Sequence, residues 1–512
     1  MTHLLFVDDL KTYATTMKQA LVQLDVITNF TSDIGMKFGA DKCAYINIEK
    51  GQIRTLGDTI DMNGLQLQEL IQADPYKYLG VDEDIKYRGE LTKARVSQEY
   101  LRRVRKIWKS DLYSRNKVQA HNAFAVPVLT PTFSILDWTK EEIHDLDVKT
   151  RKILTVNGSF HRNGDIDRLY TSRKTGGRGL KSIYDSFVTR LISVANHIAS
   201  AANHNRLLAK VRVHEQERLL RTSSLLKHSL GIHQSNDTRE SIAPHVKDIL
   251  QDHHRNSWIN KPLHGYLIKK QTETRNYCSN LSNIWLLSHN ITSHTEGYFC
   301  AVQEQEIRTR ALEKQRAMKG SKTEGLCRHC LMHDEDICHV IGSCSRLSSS
   351  MYLPFRHDQV ARLVYNQIIR LYEPSSNYQA PQPVYTAGET ELWWDMKIPC
   401  TPAVEFNRPD IVIWHKIKKT CQIIEVGTPL DVNVDEAEVT KQSKYVPLAV
   451  NLKRVYKEYQ FECIPIVVGA TGYIPKSLPS NLKLIGFDET TIKRMLVSIA
   501  EKIVSGTVKI AK

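Results

Sequence analysis

Long apolar runs are missing from this 512-residue chain. No stretch approaches the ~18 consecutive apolar residues that span a membrane, and no leader of the secretory kind opens the sequence, so neither a membrane protein nor a secreted one is expected. Cysteine is scarce: ten residues in 512 are too few for a disulfide scaffold. Their one tight cluster instead suggests metal ligation in a reducing compartment, nuclear or cytoplasmic. Acidic residues are also in deficit, 56 against 70 basic ones, which leaves a net charge of +14 and an isoelectric point near 9.1. An excess of that size favours a polyanionic partner. With 41% hydrophobic and 25% charged residues, the chain is globular rather than disordered and long enough for several domains.

What is present is most informative between Thr401 and Tyr445. Two short apolar strand patterns, Asp410 to Trp414 and Cys421 to Val426, are joined by a basic turn and predict a hairpin. Asp410 opens the first strand and Glu425 lies near the end of the second, with fourteen residues between them. A hairpin register brings both carboxylates to one end of the sheet, where paired hard oxygen donors suit Mg²⁺. Lys441 and Lys444 come next, three apart and on one face if their segment is helical. Ammonium groups there would hold a phosphate or help activate a water. Taken singly these residues are ordinary: an acid at a strand end is usually just solvated.

Their order, Pro409-Asp410, an acidic strand, then lysines, resembles the PD-(D/E)xK nuclease superfamily. Most members carry the lysine two residues after the second acid, where this chain has Gly427. The restriction-like endonuclease of one class of non-LTR retrotransposons carries it on the following helix, and Lys441-x-x-Lys444-Tyr445-x-x-Leu448 is similar to that variant. The resemblance implies that Asp410 and Glu425 hold catalytic Mg²⁺, with Lys441 and Lys444 as phosphate and water partners. Beyond it, Pro447 is expected to open a helix burying Leu448, Leu452 and Val455. Cys463 to Gly469 reads as a buried strand, and Thr490 to Val504 as a helix covering one face.

Cys327, Cys330, His339 and Cys344 have two, eight and four residues between successive members. Three thiolates and an imidazole make a tetrahedral Zn²⁺ set, and four protein ligands leave no open position, so the zinc should be structural. Cys338, His329 and His333 are neighbouring decoys. Such a knuckle either binds single-stranded nucleic acid or clips the linker before it to the nuclease after it. Directly beyond it, Arg356-His357-Asp358 opens an amphipathic helix through about Leu371, and a similar element leads into the nuclease of the same retrotransposon class.

At the other end, Leu4-Leu5-Phe6-Val7 is an apolar strand running into Asp8-Asp9, followed by a helical pattern through Phe30. Paired carboxylates at a tight turn would hold Mg²⁺ against a nucleotide triphosphate, although the same pattern marks ordinary strand ends. Its continuation, Gly35 to Cys43 and then Tyr76-Lys77-Tyr78-Leu79-Gly80, resembles the closing part of a reverse transcriptase palm. That implies catalytic carboxylates at Asp8 and Asp9, Lys42 beside the incoming nucleotide, and a primer grip at Tyr78, Leu79 and Gly80. The earlier palm aspartate and the template-binding fingers are not found, so the chain by itself is expected not to polymerise DNA.

From Gly89 to about Asn116 a basic helical pattern includes Arg102, Arg103, Arg105 and Lys106. It is either a solvated face or a thumb that tracks the phosphates of a duplex. A glycine-rich turn carrying Arg173, Lys174 and Arg178 either approaches a phosphate backbone or is a plain loop.

The resemblance implies an α+β multidomain plan. Residues 1–88 form a partial palm, 89–184 a thumb-like region, 185–320 a helical linker, 321–350 the zinc knuckle and 351–512 a restriction-like endonuclease. The implied activity is target-primed reverse transcription, in which the nuclease nicks DNA and the freed 3′ hydroxyl primes copying of the element's RNA. Target DNA and element RNA are the partners. The alternative is a non-catalytic nucleic-acid-binding remnant of such an element.

Overall fold

A computed structural model describes the chain except residues 1, 40–41, 58–59, 63–64, 72–75, 84–88, 215–217, 233–241, 318–323 and 378–379. Ala40 and Asp41 of the palm-like motif lie outside the described residues, as do positions 84–88 at the end of that segment and 321–323 at the start of the knuckle segment. Helix and sheet are mixed, as an α+β chain requires. Two compact units are present: Met1–Tyr100 with Val128–Thr139, and Leu101–Pro127 with Lys140–Lys512.

In the first unit, β1 (His3–Phe6) and β2 (Asp9–Thr12) form an antiparallel hairpin in which Phe6 faces Asp9. Val7 and Asp8 are therefore a two-residue turn, and Val7 adopts φ 54°. A second strand thus intervenes before the expected helix, α1 (Met17–Asp33), which Thr16 caps by accepting from Gln19 N–H. A further hairpin joins β3 (Tyr76–Tyr78) to β4 (Val81–Glu83), with Leu79 at φ 47° and Gly80 at φ 80°. Two left-handed residues are what a two-residue turn needs to match strand twist. The Gly80 carbonyl accepts from Arg95 at 2.7 Å, which fastens this turn to α2 (Glu90–Lys109). Along α2, Tyr100, Val104 and Trp108 recur every fourth residue and are buried, while Arg102, Arg105 and Lys106 face solvent.

Among its described residues the second unit is mainly helical before residue 373. It includes α3 (Lys140–Val156), α4 (Ile183–Ala201), α5 (Ala243–Ile259), α6 (Ser293–Gln303) and α7 (Asp358–Tyr372). Its sheet is then laid down in sequence order: β5 (Val384–Ala387), β6 (Thr390–Trp394), β7 (Ile411–His415), β8 (Thr420–Gly427) and β9 (Gln460–Val467). Neighbours are antiparallel except β8 and β9, which are parallel because α8 (Val434–Lys444) and α9 (Val446–Val455) cross between them.

Both faces of this sheet are covered, which explains why its central strands read as unbroken apolar runs. Ile411, Ile413, Ile424, Val426, Ile464 and Ile466 join one core with α7 and α11 (Glu489–Ala511), the latter preceded by α10 (Ser477–Ile485). Val412, Trp414, Cys421 and Ile423 point the other way, onto Leu448 and Leu452 of α9. Val455, expected on that buried side, is 68% exposed because it ends the helix. The last helix outruns its expected end, with Thr507, Val508 and Ile510 still buried. Trp285, Leu286, Ile291 and Phe299 belong to the first core too, so the end of the expected linker is built into the sheet domain. Each such aromatic contributes on the order of 2–3 kcal/mol by leaving water.

Candidate active site and zinc cluster

The hairpin register fixes the candidate active site. Ile411 pairs with Ile424, so the next position of the ladder sets Asp410 opposite Glu425. Asp410 Oδ2 accepts from Val426 N–H at 2.7 Å, and Asp410 N–H points toward Glu425 Oε2 at 3.4 Å. Across from them, α8 is helical as the spacing predicts, and its last turn presents both lysines. Lys441 Nζ lies 3.1 Å and Lys444 Nζ 2.8 Å from the same oxygen, Glu425 Oε1. All four residues chosen from the sequence therefore meet at one end of the sheet.

Gly427 leaves room for the Lys441 side chain. A Cβ on Gly427 would lie 2.6 Å from Lys441 Cε and 3.0 Å from Cδ. The stem of Lys441 passes through the space that any side chain at this position would fill.

One further residue was not assigned to the site by sequence. His357 Nε2 lies 3.3 Å from Asp410 Oδ2, and its Nδ1 lies 3.0 Å from Asp358 Oδ1. Burial pulls the imidazole down, but the two carboxylates more than reverse this and raise it to about 9. Burial likewise pushes the Asp410 carboxyl up, and His357, the Val426 N–H and Lys441 together hold it below the usual range. Asp410 is thus an anion facing a cation at neutral pH. The only sequence signal was the Arg-His-Asp element itself, whose partner is far along the chain. Its arginine is buried: Arg356 donates to Ile341 O at 2.7 Å and to Thr428 O at 3.0 Å, tying the knuckle to the loop after β8.

Asp410 and Glu425 set two carboxylates side by side. Among the described residues none donates to Asp410 Oδ1. The side chains are balanced, with Asp358, Asp410 and Glu425 against His357, Lys441 and Lys444. An added cation is therefore best accommodated together with an anion.

Cys327, Cys330, His339 and Cys344 have their ligand atoms all within 4.8 Å of one another, a group able to hold a metal such as zinc. The turn is made by Cys327 O accepting from Leu331 N–H at 2.8 Å, with Leu331 at φ 56°. The N–H of Met332 leads the contacts that bring the Cys330 thiol down to about 6, the ligand-ready thiolate form. The decoys stay outside this group: burial pushes Cys338 up to about 12, and the His333 ring merely packs 5.4 Å from that of His339.

Other expected residues are dispersed. Asp8 and Asp9 are exposed at their hairpin turn, Lys42 is exposed, and Tyr78, Leu79 and Gly80 form the second hairpin. On α2, Arg103 donates to Phe124 O at 2.8 Å, while Arg102, Arg105 and Lys106 remain on the surface. The glycine-rich turn requires correction. Arg173 and Arg178 are not offered to a phosphate backbone, because they pair with buried Glu296 at 2.5 and 3.0 Å. Burial raises Glu296, yet the two guanidiniums hold it at about 2. Only Lys174 of that trio is exposed. The chain matches no protein-family model and no curated protein, and no helix among the described residues is long and apolar enough to cross a membrane.

Proposed function

We propose that this chain is a metal-dependent DNA-nicking endonuclease with a restriction-like core, part of a non-LTR retrotransposon protein whose other activity is reverse transcription. The observation that carries the reading is the meeting of Asp410, Glu425, Lys441 and Lys444 at one sheet end. Asp410 and Glu425 would hold Mg²⁺, which polarises a phosphoryl oxygen and lowers the pKa of a bound water. Lys441 and Lys444 neutralise the phosphate that approaches, and each exchanges its bond to Glu425 for one to a phosphoryl oxygen. His357 keeps Asp410 ionised and fixes its orientation. The Asp8-Asp9 hairpin and the Tyr78-Leu79-Gly80 turn are read as parts of a polymerase palm, and the activity proposed here is nicking alone.

The test is nicking of supercoiled plasmid by the purified chain, with Mg²⁺ and with EDTA, beside Asp410→Ala and Glu425→Ala. Metal-dependent nicking that each variant loses, with DNA affinity kept within about threefold, is the expected outcome. Each variant removes a metal ligand and leaves the basic surface, which is what binds phosphates nonspecifically. Undiminished cleavage by Asp410→Ala rejects the assignment. Salt-sensitive binding without any nicking supports the non-catalytic remnant instead.

A further inference from the structure

Beside the carboxylates, α8 and the loop before β7 enclose a cleft of about 820 Å³, within the ~300–1,000 Å³ usual for small-ligand pockets. Lys441 and Lys444 line it, and Phe406, Ala437 and Pro447 add apolar surface. The Phe406 ring is 43% exposed. Lys444 Nζ lies 5.2 Å from the centroid of that ring and 2.8 Å from Glu425 Oε1, so one side chain bridges the aromatic wall and the phosphate site. A nucleotide whose phosphate meets the Lys444 ammonium would bring its base near Phe406.

Glu405 and Glu436 also line the cleft, exposed and in no ion pair among the described residues. Carboxylates repel a phosphate backbone but accept from base amino groups. Guanine offers one carboxylate two parallel donors, N1–H and the 2-amino group. Adenine and cytosine offer one amino group, and thymine none. Those edges are free only when the base is unpaired.

Resting on the nuclease reading, we infer that this cleft takes one unpaired nucleobase of the strand being cut, guanine before all others, stacked on Phe406 and read by Glu405 and Glu436. The Lys444 ammonium places the adjoining phosphate, so base choice and cut position are set together. A base stacked on an aromatic ring is worth about a tenfold change in affinity.

The test uses the full-length chain with Asp410→Asn, so that the DNA stays whole. Fluorescein-labelled duplexes with one bulged guanine, adenine, cytosine or thymine, or with none, are titrated by anisotropy. The bulged guanine should bind about tenfold more tightly than bulged thymine or plain duplex. Phe406→Ala should erase the difference, Phe406→Trp should keep it, and Glu405→Gln with Glu436→Gln should bring guanine and thymine together. Equal affinities for all five duplexes, or a preference indifferent to Phe406→Ala, overturns the inference. Plasmid nicking by the chain with Asp410 intact is scored separately. Nicking without base preference refutes only the pocket, and a Phe406-dependent preference without nicking refutes only the nuclease chemistry.

Discussion

Gly427 and Lys441 form a reciprocal pair: one side chain is absent so that the other has a path. Gly427→Ala places a methyl group against the Lys441 stem, and a flexible stem moves more readily than a sheet does. Stability should therefore change little, whereas the ammonium leaves its position near Glu425. Nicking should fall by about tenfold or more, equivalent to roughly 1.4 kcal/mol of transition-state stabilisation. The double variant Gly427→Ala with Lys441→Ala should be no worse than Lys441→Ala alone, since both changes act through one group. Single-turnover nicking rates check both statements, and strict additivity would mean that Gly427 acts elsewhere. The four residues at this site were legible because the signals are local: two apolar runs joined by a basic turn set the acids, and helical spacing set the lysines. His357 was not legible as a site residue, because it meets Asp410 across 52 intervening residues. The pairing of Arg173 and Arg178 was hidden for the same reason, since composition does not separate a solvated cation from one answering a buried Glu296.

Elements meet at the knuckle, and there the choice left open by the sequence becomes testable. The turn of helix holding His339 is pressed against the loop after β8: a Cβ on Gly342 would lie 2.6 Å from Leu430 Cγ. Arg356 completes the junction by bonding Ile341 O on one side and Thr428 O on the other, and His357 is its direct neighbour. Packing of this kind favours the clip. Zinc held there would fix the element that carries His357, and its loss should loosen Asp410 without touching either carboxylate. Treatment with a zinc-selective chelator, or Cys344→Ser, should lower nicking about tenfold, and after chelation Zn²⁺ but not Mg²⁺ should restore it. If zinc removal weakens DNA binding and leaves the nicking rate of bound DNA unchanged, the knuckle is a nucleic-acid contact instead. The strands β7, β8 and β9 and the helices α9 and α11 were readable from apolar runs and turns, whereas β5, β6 and α10 were not read: β5 begins inside a proline-rich stretch whose composition is that of a loop. The contact between knuckle and sheet was not readable, because nothing local in either element names the other.

Over the second unit as a whole, stability should depend on pH through a network that fastens the segment after α3 to α5 and beyond. His254 lies between Asp167 and Asp185, 2.9 Å from each, and His264 lies between Asp165 at 3.0 Å and Glu306 at 2.7 Å. Lys261 joins the two halves, 2.6 Å from Asp165 and 2.8 Å from Asp167. Burial pulls His254 down, but its two carboxylates raise it from 6.5 to about 9, and His264 moves in the same direction, led by its bond to Asp165. A raised folded pKa means that the folded state holds its proton after the unfolded chain has released it. The stabilisation is therefore complete below about pH 6.5 and is lost as pH climbs through 9. The displacement of His254 corresponds to on the order of 3 kcal/mol, enough to lower the melting temperature by several degrees. Calorimetry between pH 6 and about 9.5 should show that fall for the parent chain. In His254→Gln the melting temperature should start lower at pH 6 and decline less, because the group whose proton is lost has been removed. A parent profile flat across this window would mean that the imidazolium is not held by its carboxylates, and the fastening would then rest on Lys261 and apolar packing alone.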